Sequence, residues 1–144
     1  ADDRLSAEQY LMTLRASPEG LNLAFHIVSN EDFNDIRCFW AFNAIIHHIP
    51  EISPSISADQ SMLLYQTLFS WLQRHCHTTP LPDFIINKHA QMMVVGIQEF
   101  YPARWATVFE DLFQLLLKRE AWSHARDQLT MYFLRIFEYI DERV

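Results

Sequence analysis

The chain of 144 residues contains two glycines, Gly20 and Gly96, 76 positions apart. That scarcity narrows the choice of folds more than any other feature. A tight β-hairpin needs residues at positive φ and usually takes them from Gly, with Asn or Asp as substitutes. A sheet-rich chain would therefore lack its turns. Two isolated glycines also cannot form a phosphate-cradling loop, a dinucleotide fingerprint or a Gly-x-Ser-x-Gly elbow. Half of the residues are apolar and 14% are aromatic, which at this length supports one compact unit with a real core. The expected fold class is all-α.

Pro18, Pro50, Pro54, Pro80, Pro82 and Pro102 fall between strongly periodic segments, where proline is tolerated. Between them the spacing predicts seven helices. The first runs from about Leu5 to Arg15. The second follows Ser17 as N-cap, with Pro18 at the first helical position and Leu21, Phe25 and Val28 facing inward. A third, from about Glu31 to Ile49, carries Phe39, Phe42, Ile46 and Ile49 on one face, and Pro50 is expected to stop it. Ser57 and Gln60 form a capping-box pattern for a fourth, with Leu64, Leu68, Trp71 and Leu72 inward and an end near His77. The fifth, about Asp83 to Tyr101, places Ile86, Ala90, Met93, Ile97 and Phe100 on one side. Pro102 is expected to open a sixth carrying Trp105, Val108, Phe109, Leu112 and Leu116. A seventh, capped by Ser123, carries Leu129, Phe133, Ile136 and Ile140.

Several helices are apolar on more than one side, as in Phe39-Trp40-Ala41-Phe42 and Leu115-Leu116-Leu117, so they need neighbours on two faces. Alternate helix starts recur at roughly 40 to 50 residues, the period of HEAT or armadillo helix pairs. The expected architecture is a right-handed α-α superhelix of HEAT-like pairs: residues 1–30, 31–78 and 82–119 as three repeats, and 122–144 as the first helix of a fourth. The last helix has no partner and presents Tyr132, Leu134 and Tyr139 off its main stripe. The chain, which lacks an initiator Met, is thus expected to be a piece of a longer one. Its uncovered end is expected to promote self-association.

Formal net charge is −7, and residues 1 to 35 hold seven acids against Arg4 and Arg15. The longest basic run is Lys118-Arg119, far short of the stripe a nucleic-acid binder needs. Cys38 and Cys76 lack CxxC spacing and sit in apolar surroundings, which suits reduced, buried thiols in a cytosolic or nuclear protein. No apolar run approaches the roughly 20 residues of a membrane span. His47-His48 and His75-Cys76-His77 look like ligand clusters, yet His75 and His77 lie about 200° apart around an ideal helix. Both clusters fall in last helical turns, where His meets free carbonyls. No metal site and no catalytic cysteine is expected.

The stretches Phe84-Ile-Ile-Asn-Lys-His-Ala-Gln91, Tyr101-Pro-Ala-Arg-Trp105, Phe109-Glu-Asp-Leu112 and Leu134-Arg-Ile-Phe-Glu-Tyr-Ile-Asp-Glu-Arg-Val144 resemble the exportin segment of the importin-β superfamily. The resemblance extends upstream through Thr67-Leu-Phe-Ser-Trp-Leu-Gln73 and Phe39-Trp-Ala-Phe42 to Ser17-Pro18, and among exportins it is greatest to the tRNA exportins. It implies a transport receptor and not an enzyme. Such a receptor binds Ran in its GTP form with tRNA in the nucleus, passes nuclear pore proteins, and releases its cargo in the cytoplasm. It shuttles between the two compartments and needs no cofactor beyond the GTP that Ran carries.

The resemblance further implies that Ran is held by the second helix of each pair, here the second, fourth and sixth. Their polar faces carry Glu19, Asn22 and His26, then Tyr65, Gln66 and Gln73, then Thr107, Glu110, Asp111 and Gln114. A solvated helix face carries similar charges with no partner. Lys88 and Arg104 are the candidates for tRNA phosphate contact, although isolated basic residues are usually surface ions. Asn87 and Lys88 equally suit packing or capping between repeats. Three other readings stay open: an exportin with different cargo, a stand-alone helical adaptor for protein or membrane docking, and an all-α enzyme. The missing basic patch weighs against membrane docking. The missing paired carboxylates and metal spacing weigh against the enzyme.

Overall fold

The computed structural model describes residues 2–30, 32–76, 80–118 and 125–143. They form seven helices and no strand: α1 (Asp2–Ala16), α2 (Pro18–Ser29), α3 (Asp35–Ile52), α4 (Ala58–His75), α5 (Asp83–Phe100), α6 (Val108–Leu117) and α7 (Ala125–Arg143). The fold is an all-α helical repeat in two layers. In the first layer α3 packs on α5 and α5 on α7; in the second α2 packs on α4, while α2 also lies against α3, and α1 closes over α2 and α3.

Side-chain caps set the starts of α2, α3 and α4. The Ser17 hydroxyl accepts the Gly20 N–H at 3.1 Å, and Pro18 supplies a preset φ where no donor is needed. Ser57 and Gln60 form the full reciprocal box, each side chain accepting the other's backbone N–H. Helix α3 starts four residues later than the sequence suggests, because the Asn34 side chain accepts the Arg37 N–H at 3.0 Å. Glu31, the expected start, lies outside the described residues, as do His77 and the expected cap Ser123.

Pro50 does not stop α3, which continues to Ile52. A proline this close to the end costs one bond, to the Ile46 carbonyl, while the Ser53 N–H still closes on Ile49 O at 3.0 Å. Pro102 does not open α6 either. Residues 101–107 form a turn, with a cis Tyr101–Pro102 bond, in which the N–H groups of Arg104 and Trp105 both reach Phe100 O, and the helix begins only at Val108.

The repeat is visible in which residues hydrogen-bond at long range. Trp105 Nε1 donates to Ser61 O, Arg104 Nη1 to Ile56 O, Arg74 Nη2 to Val28 O and Arg135 Nε to Asn87 Oδ1, at sequence separations of 44, 48, 46 and 48. Tyr65 and Asp111, and Ser53 and Glu99, are each joined across 46 residues. One helical pair therefore grips the next at nearly constant sequence distance, as stacking of similar units requires.

The interior is aromatic. Trp71, Trp105, Tyr132 and Phe42 are fully buried, with Phe42 edge-on to Trp71 at 5.0 Å between ring centroids. Helix α7 is turned relative to its sequence reading: Leu129, Tyr132 and Ile136 are buried and Phe133 only half so. Tyr132 is drawn inward by His89, whose ring lies 21° from the plane of Trp71 at 5.0 Å. Both glycines occupy close approaches. A Cβ on Gly20 would stand 1.8 Å from Leu14 O, and one on Gly96 2.2 Å from the Trp105 ring.

Candidate docking face

Helices α2, α4 and α6 form the second layer, and each presents one stripe away from the first. The inward sets are Gly20, Ala24 and Val28 on α2, Ser61, Leu64, Leu68, Trp71, Leu72 and His75 on α4, and Val108, Leu112 and Leu115 on α6. Opposite them, at spacings of three and four, lie exposed Glu19, Asn22 and His26, then Asp59, Leu63, Gln66 and Gln73, then Glu110, Gln114 and Leu117. Most of the polar residues named from the sequence are thus on one exposed side of one layer.

Two are not. Tyr65 is buried, and its hydroxyl donates to Asp111 Oδ2 at 2.6 Å, so it points from α4 toward α6 and not outward. Burial first, then the bond to Asp111, raises the phenol above its ordinary range. Asp111 also accepts the Thr107 hydroxyl at 3.0 Å, which makes all three a tie between neighbouring helices. Period alone placed Tyr65 on the polar face; its reach to a residue 46 positions away carries no local signal.

The two cations named for phosphate contact are held elsewhere. Lys88 Nζ donates to Gln91 Oε1 and lies 5.3 Å from the Phe39 ring centroid, and burial, then Arg15, lowers its pKa. It belongs to the first layer. The Arg104 guanidinium is spent on Ile56 O at 2.7 Å, where it ties the turn before α6 to the loop before α4. Asn87 joins α5 to α7 through Arg135, a packing role between helices.

The outward stripes carry the carboxylates Glu19, Asp59 and Glu110, each in the first turn of its helix, against Lys118 at the end of α6. Acids there also complement the positive end of the helix dipole, so they stabilise the helices as well as charging the face. Sequence reading missed the two large aliphatic side chains in the same stripes, Leu63 and Leu117, which are 62% and 55% exposed. A leucine in an otherwise polar helix face was the available signal.

The remaining histidines and cysteines among the described residues are engaged in packing and at helix ends. His48 Nε2 donates to Arg15 O at 2.9 Å, closing the end of α1, and His47 faces Glu51 at 3.8 Å. Because α3 runs on to Ile52, His47 and His48 are not in its last turn as expected, and His48 serves the end of a different helix. Among the described residues no three His, Cys, Asp or Glu side chains converge as metal ligands. Cys38 and Cys76 are buried and not joined in a disulfide. Burial pushes the Cys38 thiol up and the Cys76 thiol to about 11, far from a nucleophilic range. An open cleft of about 630 Å³ lies at the edge of the stack between α1, the end of α2 and the start of α3, lined by apolar side chains such as Leu11, Leu23, Ile36 and Trp40 and shared with the outward stripe of α2 through His26. No described helix is long and apolar enough to cross a membrane.

Comparison with known proteins adds the family context. Exportin-T of Danio rerio is 30% identical over 115 residues, 78% of this chain, and that of Mus musculus 27% over 119 residues, 81% of the chain. The chain is similar to a segment of exportin-T. Similarity to exportin-T of Dictyostelium discoideum runs over 145 aligned residues, or 99% of the chain, at 26% identity. The chain spans about 12% of the length of these exportin-T relatives, so it corresponds to one portion of a much larger receptor. No family model and no solved structure matches it.

Proposed function

We propose that this chain is a docking segment of a nuclear export receptor and holds Ran in its GTP form on the outward face of α2, α4 and α6. The observation that carries the reading is that face: three helices in one layer with aligned carboxylates and amides, against which the one exposed lysine at the end of α6, Lys118, stands. A rigid helical stack offers an extended surface, and an acidic one draws in a partner with basic patches. Glu19, Asn22, His26, Gln66, Gln73, Glu110 and Gln114 are the contacts we assign. Tyr65, Thr107 and Asp111 serve the same face from behind by fixing α4 against α6.

The segment acts by binding, and any GTP hydrolysis takes place in the partner. In the longer receptor the cargo is tRNA, carried past nuclear pore proteins between nucleus and cytoplasm. The four-part division at residues 30, 78 and 119, and the right-handed sense of the superhelix, belong to the same proposal. Lys88 and Arg104 contribute little to tRNA affinity, because packing and hydrogen bonds already engage them.

Calorimetric titration of the chain with Ran loaded with a non-hydrolysable GTP analogue, and with the GDP form beside it, tests the proposal. Binding to the GTP form alone is expected. Equal binding to both forms, or to neither, contradicts it.

A further inference from the structure

We propose that Leu63 is the apolar centre of the docking face, and that the partner surface it meets is a basic protein surface with an apolar patch at its middle. This rests on the docking reading above and goes beyond it in naming the side chain on which affinity turns and the chemistry of the surface opposite. The core does not need Leu63. The inward stripe of α4 is complete with Leu64, Leu68, Trp71 and Leu72, and Leu63 stands 62% exposed on the other side. It lies on the middle of the three helices, one turn from Asp59 and one turn from Gln66, both exposed. An apolar centre within a polar rim is the usual anatomy of a protein interface.

Charge selects the occupant. The rim holds Glu19, Asp59 and Glu110 against Lys118 at the end of α6, and the guanidinium of α4, Arg74, is turned to Val28 O. Such a rim repels phosphate and anionic lipid and favours Lys- and Arg-bearing protein. Carboxylates steer the encounter, and Leu63 sets how long the complex lasts once water is excluded around it.

The experiment repeats the Ran titration, with the GTP-analogue form, for wild type and for Leu63→Ala, Asp59→Lys and Leu134→Ala. Leu134 is an equally exposed leucine on α7, outside the face. Melting curves check that each variant stays folded, which the exposure of all three sites favours. The expected result is about tenfold weaker binding for Leu63→Ala, carried by faster dissociation. Asp59→Lys is expected to slow association and flatten the salt dependence, and Leu134→Ala to match wild type. Leu63→Ala binding like wild type, or Leu134→Ala falling as far, overturns the assignment of Leu63 and leaves the docking reading standing. Wild type failing to bind at all overturns the docking reading, and the assignment with it.

Discussion

Gly96 shows how one absent methyl group fixes a packing arrangement. It sits within α5, where Ala would gain about 1 kcal/mol in helix propensity. A Cβ there would meet the Trp105 indole at 2.2 Å, and that ring is buried and tied through Nε1 to Ser61 O, so it cannot swing aside. Gly96→Ala is therefore expected to destabilise the fold by a net ~1–3 kcal/mol, the usual cost of overpacking, read as a lower urea midpoint at unchanged slope. His89 holds three helices together from inside the core. Its Nε2 donates to Leu68 O at 3.0 Å, so Nδ1 is left to accept the Tyr132 hydroxyl at 2.9 Å, and the buried ring links α4, α5 and α7 in its neutral form. Burial, partly offset by the Leu68 bond, lowers its pKa from 6.5 to about 4. In that window the unfolded chain takes up a proton that the folded chain refuses, so stability falls as pH falls. Between pH 7 and pH 5 the loss from His89 should be roughly 2 kcal/mol, with buried His75 acting in the same direction. Denaturant titrations at the two pH values check it, and His89→Gln should remove most of the slope.

Helices were legible where their signals are local. The Ser17 cap and the Ser57–Gln60 box read directly from four consecutive residues, and Ser57→Ala is expected to cost about 1 kcal/mol in a thermal melt. The inward stripe was legible on α4, whereas on α5 the reading found one side of a helix that is buried on several, with Ile85, Met92, Val94 and Val95 also inside. On α7 the hydrophobic pattern favoured Phe133, while the structure buries Tyr132, because a hydroxyl with a partner 43 residues away belongs in the core as readily as a phenyl ring. Pro50 and Pro102 misled for a related reason. Whether a proline ends, begins or merely decorates a helix depends on which carbonyl loses its donor and on what the following turn packs against, here Trp105.

At the scale of the molecule, six hydrogen bonds between helices or their loops span 44 to 48 residues, in keeping with the 40-to-50-residue recurrence read from the helix starts, while bonds such as His48–Arg15 and His89–Leu68 span fewer. The polar side of α2, α4 and α6 was also legible, since period and exposure agree for Asn22, His26, Gln66, Gln73 and Gln114. The residues that brace that side were not, because Tyr65 with Asp111 and Arg74 with Val28 meet only through stacking. The edge cleft beside α1 and α3, with Leu11, Leu23 and Ile36, is the competing location for a partner. Amide hydrogen exchange on the chain, alone and saturated with Ran bearing the GTP analogue, separates the two most directly. The account predicts that slowed exchange on complex formation concentrates in α2, α4 and α6 around Asn22, Leu63 and Gln114. Protection confined to α1 and the start of α3, or spread along α5 and α7, would contradict it.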